Sequence, residues 1–377
     1  MSRLRLRLTG FSALALAAAW SSGCASGARL GVVTPVAGDS FFVAGYHPYW
    51  TGDSWRTSPW DVLDEVYYFE IDAGADGGLA DMRGWPELGR PLLERARAEG
   101  VRVVPTVSVH DAAVFAELFA QPSRVARLVE ELIVLVGATP GLGGLHLDFE
   151  VFEPVALDVR DGYTAFVARL DRRMAEADPS LSLSAFALAF DDDDVYNERA
   201  LAEITDFLVV QGYDFHSRAE PRAGPVAALA GWGRLNWQSV LDRFLGFGVP
   251  ARKIVMAVPL YGYEWPVVSD APGAETRAEA VEIPLAPADD VVPELPRAFE
   301  QASRYGVRRD PASGSPYYTF QDSTGWHQRW FEDAESLRAK YEFVRENGLG
   351  GVALFPLAYG NEALWADVRA AFSRPRE

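Results

Sequence analysis

Eight short apolar segments alternate with helical patterns along most of the chain, and this alternation is the feature that most constrains the fold. Parallel strands that are buried on both faces read as short hydrophobic runs, and each needs a crossover connection to the next. The predicted strands cover residues 42–46, 65–69, 102–108, 144–149, 181–189, 206–211, 254–260 and 351–355. Eight such units favour an α/β fold of the (β/α)₈ TIM-barrel type over residues 41–370.

The segments between the predicted strands carry a hydrophobic period of 3.6 residues, which is typical of helices that bury one stripe. The clearest stripes are Val125, Leu128, Val129, Leu132, Ile133 and Val136 in one segment, and Tyr163, Phe166, Val167 and Leu170 in the next. The first predicted strand is not followed by a G-x-G-x-x-G motif, so an open dinucleotide-binding sheet is less well supported than a barrel.

A proline-rich insertion at about residues 263–322, between the seventh strand and the last, interrupts the alternation. Its prolines are Pro266, Pro272, Pro284, Pro287, Pro293, Pro296, Pro311 and Pro316. Proline lacks a backbone N–H group, so a continuous helix or a central strand is not expected across this segment. Loops of this length are often functional, and we expect the insertion to form a lid or wall.

The first 23 residues have the layout of a bacterial export signal. Three arginines precede an apolar run of about ten residues, which is too short for a membrane span of about 20. Cys24, the only cysteine, follows small residues and resembles a lipoprotein processing site. We expect an exported protein in which Cys24 is lipidated and residues 24–40 are a linker. The alternative is an ordinary signal with a fortuitous cysteine.

The charge balance and the single cysteine exclude several functions. A net charge of −18 disfavours binding to nucleic-acid phosphates, so no nucleic-acid partner is expected. One cysteine permits neither an internal disulfide nor a thiolate cluster for zinc. The aspartate run at 191–194 lacks the spacing of a calcium-binding hand and is predicted to be a solvated loop. We therefore expect no metal and no other cofactor.

Ionisable residues share one face at the end of the fourth predicted strand. Strand alternation places His146, Asp148 and Glu150 on one face and Leu145, Leu147 and Phe149 on the other. In a barrel, the polar face would point into the mouth and the apolar face would pack on helices. Three ionisable groups are costly to bury without a purpose, so the pattern indicates a catalytic site. A strand end that emerges into a solvated loop is the alternative.

The run that ends in Asp148-x-Glu150 resembles the D-G-x-D-x-D-x-E signature of glycoside hydrolase family 18, which includes chitinases and related enzymes. Other segments resemble the family in the same order, namely Gly45-Tyr46 with Trp50, Gln211-Gly212-Tyr213-Asp214, Pro259-Leu260-Tyr261-Gly262, and residues 330–352. The last segment is similar to the bacterial branch that contains spore-germination peptidoglycan hydrolases. The resemblance extends over about residues 41–370.

The resemblance implies a substrate-assisted retaining glycosidase, in which the 2-acetamido oxygen of the sugar is the nucleophile. Glu150 would be the general acid, Asp148 would accept a hydrogen bond from the acetamido N–H, and Tyr213 would donate one to its oxygen. Gln211 and Asp214 would support the pocket. The implied substrates contain β-1,4-linked N-acetylglucosamine, as in chitin, chitooligosaccharides and peptidoglycan. The alternative is a non-catalytic, lectin-like protein on the same barrel.

Three positions depart from the family pattern. Gly143 and His146 replace aspartates of the signature. A histidine at position 146 could hydrogen-bond Asp148 and, if protonated, lower its pKa. We expect His146 to be a supporting residue and not a metal ligand, because no His or Cys partner has ligand spacing. Phe355 stands where the family usually has a tryptophan beneath the reacting sugar, and it keeps a face for stacking.

Aromatic residues near the predicted strand ends are candidates for binding sugar rings. The substrate-binding candidates are Tyr46, Trp50, Tyr261, Trp265 and Phe355. A chain with 11 tryptophans must bury several of them, so any single one is more often core than binding site. Tyr261 and Phe355 are the strongest candidates because they occupy motif positions.

Overall fold

The computed structural model describes residues 41–190, 195–288 and 290–372. The predicted export signal, Cys24, the linker and the aspartate run lie outside the described residues.

Eight parallel strands close into a barrel, which confirms the predicted fold. The described strands are β1 (Phe42–Pro48), β2 (Glu65–Ala73), β3 (Leu79–Asp81), β4 (Arg102–Val109), β5 (Gly144–Phe149), β6 (Ser182–Ala187), β7 (Phe207–Val210), β8 (Ile254–Pro259), β9 (Tyr261–Val267), β10 (Val281–Pro284), β11 (Arg308–Arg309), β12 (Pro316–Asp322), β13 (Gly325–Trp330) and β14 (Gly351–Phe355). The barrel runs β1-β2-β4-β5-β6-β7-β8-β14, and β14 pairs with β1 to close it. β3 is a short antiparallel addition to β2.

Helices cover the outside of the barrel. The described helices are α1 (Gly89–Glu99), α2 (Ala112–Phe119), α3 (Pro122–Ala138), α4 (Leu157–Ala177), α5 (Glu198–Ile204), α6 (Trp237–Gly246), α7 (Ala302–Tyr305), α8 (Ala334–Glu346) and α9 (Glu362–Phe372). The predicted stripe on α4 is completely buried, whereas Ile133 and Val136 of α3 are only partly buried. None of these described helices has the length and apolar character of a membrane span.

The first crossover differs from the regular strand-and-helix pattern. Between β1 and β2 the chain forms a 3₁₀ segment, Tyr49–Thr57, in place of an α-helix. Gly52 has a φ of 55°, and Pro59 follows shortly after, so both residues prevent a continuous helix from forming here.

The outward face of β5 packs on two helices, as its alternation predicted. The ring of Phe149 lies 5.4–6.3 Å from the rings of Phe115 and Phe119 on α2 and of Tyr163 and Phe166 on α4. Since side chains alternate along a strand, this packing directs the polar face of β5 into the barrel.

The insertion folds as an antiparallel sheet of five strands in the order β10-β9-β13-β12-β11. It begins at Tyr261 and ends at Trp330, so it is longer than the predicted 263–322. Pro266 lies past the last residue of β9 that pairs with β10, and Pro284 and Pro316 lie at strand ends. These three prolines therefore occupy positions where a missing N–H group is tolerated.

Candidate active site

A cavity of about 710 Å³ lies at the carboxyl ends of the barrel strands. Eight of the predicted site residues line it, namely Tyr46, Asp148, Glu150, Gln211, Tyr213, Asp214, Tyr261 and Phe355. Active sites of TIM barrels form at this end because the loops that follow the parallel strands meet there. The structure thus brings together residues from widely separated parts of the chain.

Asp148 and Glu150 form a hydrogen-bonded carboxyl pair at the end of β5. The backbone N–H of Glu150 donates to the carbonyl oxygen of Val109 on β4 at 2.9 Å. On the other side, the Tyr196 hydroxyl accepts from the N–H of Val151 at 3.0 Å and donates to the carbonyl of Phe149. The strand end is therefore held by its neighbours and does not emerge as a free loop.

Burial changes the protonation of this pair. It is the main cause that raises the pKa of Asp148 well above its usual range, and the charge of Glu150 adds to the effect. Burial likewise raises the pKa of Glu150 to about 7, although the positive charge of His110 opposes the shift. Both shifts favour a protonated carboxyl in the pair near neutral pH. The pair can therefore supply a general acid.

His146 contacts residues other than the expected partner. Its ring nitrogens hydrogen-bond the hydroxyls of Tyr46 at 2.9 Å and Ser184 at 2.8 Å, and its ring stacks on Tyr67 at 4.4 Å. Both nitrogens are thus engaged by groups other than Asp148, and the predicted hydrogen bond to that residue is wrong. Complete burial lowers the pKa of His146 to about 3, so its ring is neutral. That His146 is a supporting residue stays a prediction.

Glu70 and His110 are charged residues beside the acid pair that the sequence reasoning missed. The His110 Nε2 atom lies 2.9 Å from Glu70 Oε2, which also accepts from the Ser108 hydroxyl at 2.6 Å. On its other side, His110 Nδ1 lies 4.0 Å from Glu150 Oε1. Glu70 directly follows the predicted strand 65–69, and His110 lies two residues after the predicted strand 102–108. A position at a strand end was also the signal that pointed to Asp148 and Glu150.

The hydrogen bond and nearby charges favour a protonated His110. Burial by itself would lower the pKa of His110, but the hydrogen bond to Glu70 and the charges of Asp148, Glu150 and Glu70 raise it to about 9. Among the described residues, Glu70, His110 and Asp148 place potential ligand atoms within 4.8 Å of one another, a spacing that a metal ion could bridge. With His110 protonated, Glu70 and His110 form an ion pair with a separation of 2.9 Å.

The insertion forms one wall of the cavity. Asp214 Oδ1 accepts hydrogen bonds from the hydroxyls of Tyr261 at 2.7 Å and Tyr263 at 3.0 Å, both on β9. Burial raises the pKa of Asp214, although these two hydrogen bonds favour its ionised form. Glu282 of β10 also lines the cavity. The prediction that the insertion borders the site agrees with this arrangement, while Tyr263 and Glu282 had no signal in the sequence.

Phe355 lies at the centre of an aromatic group on the cavity floor. Its ring centroid is 5.4 Å from that of Tyr46, 5.7 Å from Phe69, 5.9 Å from Tyr213 and 6.3 Å from Tyr261. These rings provide an apolar surface on which a sugar ring could stack. Gln211 also lines the cavity; it is buried and accepts a hydrogen bond from the backbone N–H of Ala189 at 3.2 Å.

Two of the substrate-binding candidates lie away from the cavity lining. Trp265 of β9 is completely buried, and its ring centroid lies 5.4 Å from that of Tyr263. Its predicted contact with substrate is therefore not supported. Trp50 is 48% exposed and touches the rim through Phe69, at a ring distance of 5.8 Å. The alternation of a strand cannot reveal which of its positions are covered by other elements.

A stacked pair of aromatic rings at the outer cavity was also missed. Phe152 and Phe190 line the cavity with their ring centroids 5.5 Å apart and their planes at 21°. Phe152 is 57% exposed, so much of this apolar surface faces solvent. Both residues closely follow predicted strands, which was the available signal.

A carboxyl pair in an aromatic-lined cavity at the mouth of a TIM barrel is typical of a glycosidase. The pattern of the glycosyl hydrolases family 18 matches residues 92–360 of this chain. The chain therefore belongs to glycoside hydrolase family 18.

Individual relatives agree with this assignment. The chain is 24% identical over 308 residues to the cortical fragment-lytic enzyme of Bacillus anthracis, covering 78% of this chain but only 65% of that enzyme. It is 28% identical over 298 residues to di-N-acetylchitobiase of Rattus norvegicus, covering 72% of this chain and 75% of the relative. A mutant family 18 chitinase from Cycas revoluta, solved in complex with (GlcNAc)4, has the same fold with a TM-score of 0.72 and 21% identity, covering 88% of this chain and all of that one.

Proposed function

We propose that this protein hydrolyses β-1,4 linkages in glycans that contain N-acetylglucosamine, such as chitin, chitooligosaccharides or peptidoglycan. The observation that carries the proposal is the pairing of buried Asp148 with partly exposed Glu150 in an aromatic-lined cavity, where desolvation raises the pKa of both carboxyls. The names of the family relatives point in the same direction, since one is a di-N-acetylchitobiase and another structure holds (GlcNAc)4.

In the first step, Glu150 donates its proton to the glycosidic oxygen as the bond to the anomeric carbon breaks. The 2-acetamido oxygen of the same sugar forms a new bond to that carbon, which gives a cyclic oxazolinium ion. Asp148 accepts a hydrogen bond from the acetamido N–H and stabilises the positive charge that develops on the oxazolinium ring. In the second step, water attacks the anomeric carbon, Glu150 takes its proton, and the acetamide is restored with retained configuration.

The remaining residues of the cavity position the sugar in this proposal. Tyr213 lies over the floor beside Phe355 and would donate a hydrogen bond to the acetamido oxygen. Asp214, held by two tyrosines, and the buried Gln211 would keep the pocket in shape. Such positioning lowers the entropic part of the barrier, because the nucleophile already lies near the reacting carbon.

A neutral glycan suits the charge of the cavity. Of the lining residues that the structure describes, Asp148, Glu150, Asp214, Glu220 and Glu282 are acidic and Arg234 is basic. An excess of negative charge disfavours anionic wall polymers and leaves stacking and hydrogen bonds as the main attractions.

The test compares the wild-type protein with Glu150→Gln, and with Glu153→Gln as the matched control. Glu153 is an exposed glutamate three residues further along the chain, so its substitution should leave hydrolysis unchanged. Glu150→Gln cannot donate the proton and should lose product release from chitin oligosaccharides or purified peptidoglycan by about a hundredfold or more. Equal release by all three proteins would overturn the proposal. Binding without release by the wild type would indicate the lectin-like alternative.

We also propose that the protein is exported and anchored to a membrane through lipidated Cys24. The support is the arrangement of arginines, apolar residues and small residues before that cysteine. Expression of wild type and Cys24→Ser in a bacterium, with labelled palmitate, provides the test. The label should enter only the wild type, and the variant should leave the membrane fraction. Labelling of both proteins would contradict the proposed anchor.

A further inference from the structure

The family signature has an aspartate where this chain has His146, and the structure places no charge at that position. The ring of His146 is fully buried and held by Tyr46, Ser184 and Tyr67. The Asp148–Glu150 pair therefore has a neutral group beneath it. His110, the residue after β4, places its Nδ1 atom 4.0 Å from Glu150 Oε1.

Strand register brings His110 and its partner to the height of the pair. Ser108 is the register partner of Asp72 on β2 and of Asp148 on β5, so three adjacent strand ends meet at one level. Glu70 is 8% exposed, and its Oε2 atom binds both the Ser108 hydroxyl and the His110 ring. The Glu70 carboxylate thus fixes the position of the His110 ring.

We propose that His110, held by Glu70, is the cation that sets where the proton resides in the Asp148–Glu150 pair. It is a positioning residue, because it acts through the two carboxyls and need not touch the reacting atoms. The inference rests on the proposed hydrolase function for its catalytic consequence. Its electrostatic consequence is independent of activity.

The other charged groups around the pair do not substitute for His110. Among the described groups that act most strongly on Asp148 and Glu150, Glu70 and Asp214 are acidic and His110 is basic. Tyr46 and Tyr213 also face the pair, but burial raises the pKa of both hydroxyls well above their usual range and keeps them neutral. The positive charge of Arg83 acts on Glu70, which is not a member of the Asp148–Glu150 pair.

The sign of the effect follows from the charges. A cation near a carboxyl favours the ionised form, so loss of the His110 charge should raise the pKa of both members of the pair. The acid and alkaline limits of kcat/KM should then both move to higher pH, by about one unit for a partly exposed cation. kcat should fall at neutral pH, because a pair that holds an additional proton leaves Asp148 less able to accept a hydrogen bond from the acetamido N–H. KM should change little.

The experiment uses His110→Gln, which can still donate to Glu70 but carries no charge, and His110→Lys, which restores the charge. His327→Gln is the matched control, since His327 pairs with Glu264 at 3.0 Å in the insertion, outside the cavity lining. Carboxyl ¹³C NMR titration of the full chain reports Asp148 and Glu150 directly, and thermal unfolding verifies that each variant is folded. The pH dependence of kcat/KM on a chitooligosaccharide is measured in parallel.

The expected result is an upward shift of the carboxyl titrations in His110→Gln, a smaller shift in His110→Lys and none in His327→Gln. Unchanged titrations in folded His110→Gln would overturn the inference, even if the wild type hydrolyses its substrate normally. If His110→Gln shows the shift but the wild type releases no product, the hydrolase function is overturned and the electrostatic role of His110 remains.

Discussion

The hydroxyl of Tyr46 lies 2.9 Å from Nε2 of His146, which ties the residue in place of the signature aspartate to the first barrel strand. Ser184 engages the other ring nitrogen at 2.8 Å. His146 is therefore part of the hydrogen-bonded barrel interior beneath the acid pair. Its substitution should affect stability more than chemistry.

We predict that His146→Asn keeps substantial activity but lowers the free energy of unfolding. Asparagine is too short to reach both Tyr46 and Ser184, and a buried polar group left without a partner costs about 1–3 kcal/mol. kcat should fall by less than about tenfold, since the pair can still exchange its proton. Urea denaturation and initial rates measure the two effects. Complete loss of activity with unchanged stability, or metal bound to the wild type, would contradict the supporting role.

The pKa of Glu150, raised to about 7, predicts an alkaline limit of activity near that pH. Glu150 must hold its proton to act as an acid, so kcat/KM should fall as pH rises through about 7 and should approach a tenfold loss per unit above it. The measurement is kcat/KM of the wild type on a neutral chitooligosaccharide across the pH range of stability. Constant activity up to about pH 9 would show that Glu150 is not the required acid.

Phe355 should contribute mainly to substrate binding. Phe355→Ala removes the ring at the centre of the floor, so KM should rise by about tenfold, which corresponds to the loss of one good aromatic contact. Phe355→Trp restores a larger stacking face and should leave KM equal to or below the wild-type value. Steady-state kinetics on chitooligosaccharides separate the cases. Equal KM values for all three proteins would remove Phe355 from the binding surface.

Tyr263→Phe tests whether the insertion takes part in the site. The change removes the 3.0 Å hydrogen bond to Asp214 while the bond from Tyr261 remains. A hydrogen bond to a charged group contributes about 1.5–3 kcal/mol, so kcat/KM should fall by about tenfold or more. Tyr305→Phe, on α7 and away from the cavity lining, is the control. Equal activities of the two variants would make the insertion a passive wall.

The buried ion pair between Lys340 and Glu332 predicts a purely structural effect. Lys340 Nζ and Glu332 Oε2 are 2.8 Å apart, and the side chains of Lys340 and Glu332 are 1% and 0% exposed, respectively. Lys340→Met leaves the Glu332 charge buried without its partner and should lower the free energy of unfolding by about 3–5 kcal/mol. Adding Glu332→Gln should recover much of that loss. Denaturant titration of the three proteins tests this, and an unaffected single variant would contradict it.

The strands and the placement of the Asp148–Glu150 pair could be predicted because their signals are local. The period of two along residues 144–149 specifies which side chains share a face, whatever else the chain does. Phe149 on the helices and Asp148 in the cavity confirm that reasoning. Short apolar runs alternating with helical stripes likewise indicated a barrel, because parallel strands require such crossovers.

The partners of those residues could not be predicted, since they depend on which strand ends meet in space. Glu70 and His110 are forty residues apart and come together through the register of β2, β4 and β5. Trp265 occupies the same face of β9 as Tyr263, yet neighbouring elements cover it completely. Periodicity records the direction of a side chain, whereas packing of the closed barrel and its insertion sets the neighbours, the burial and therefore the charge of each group.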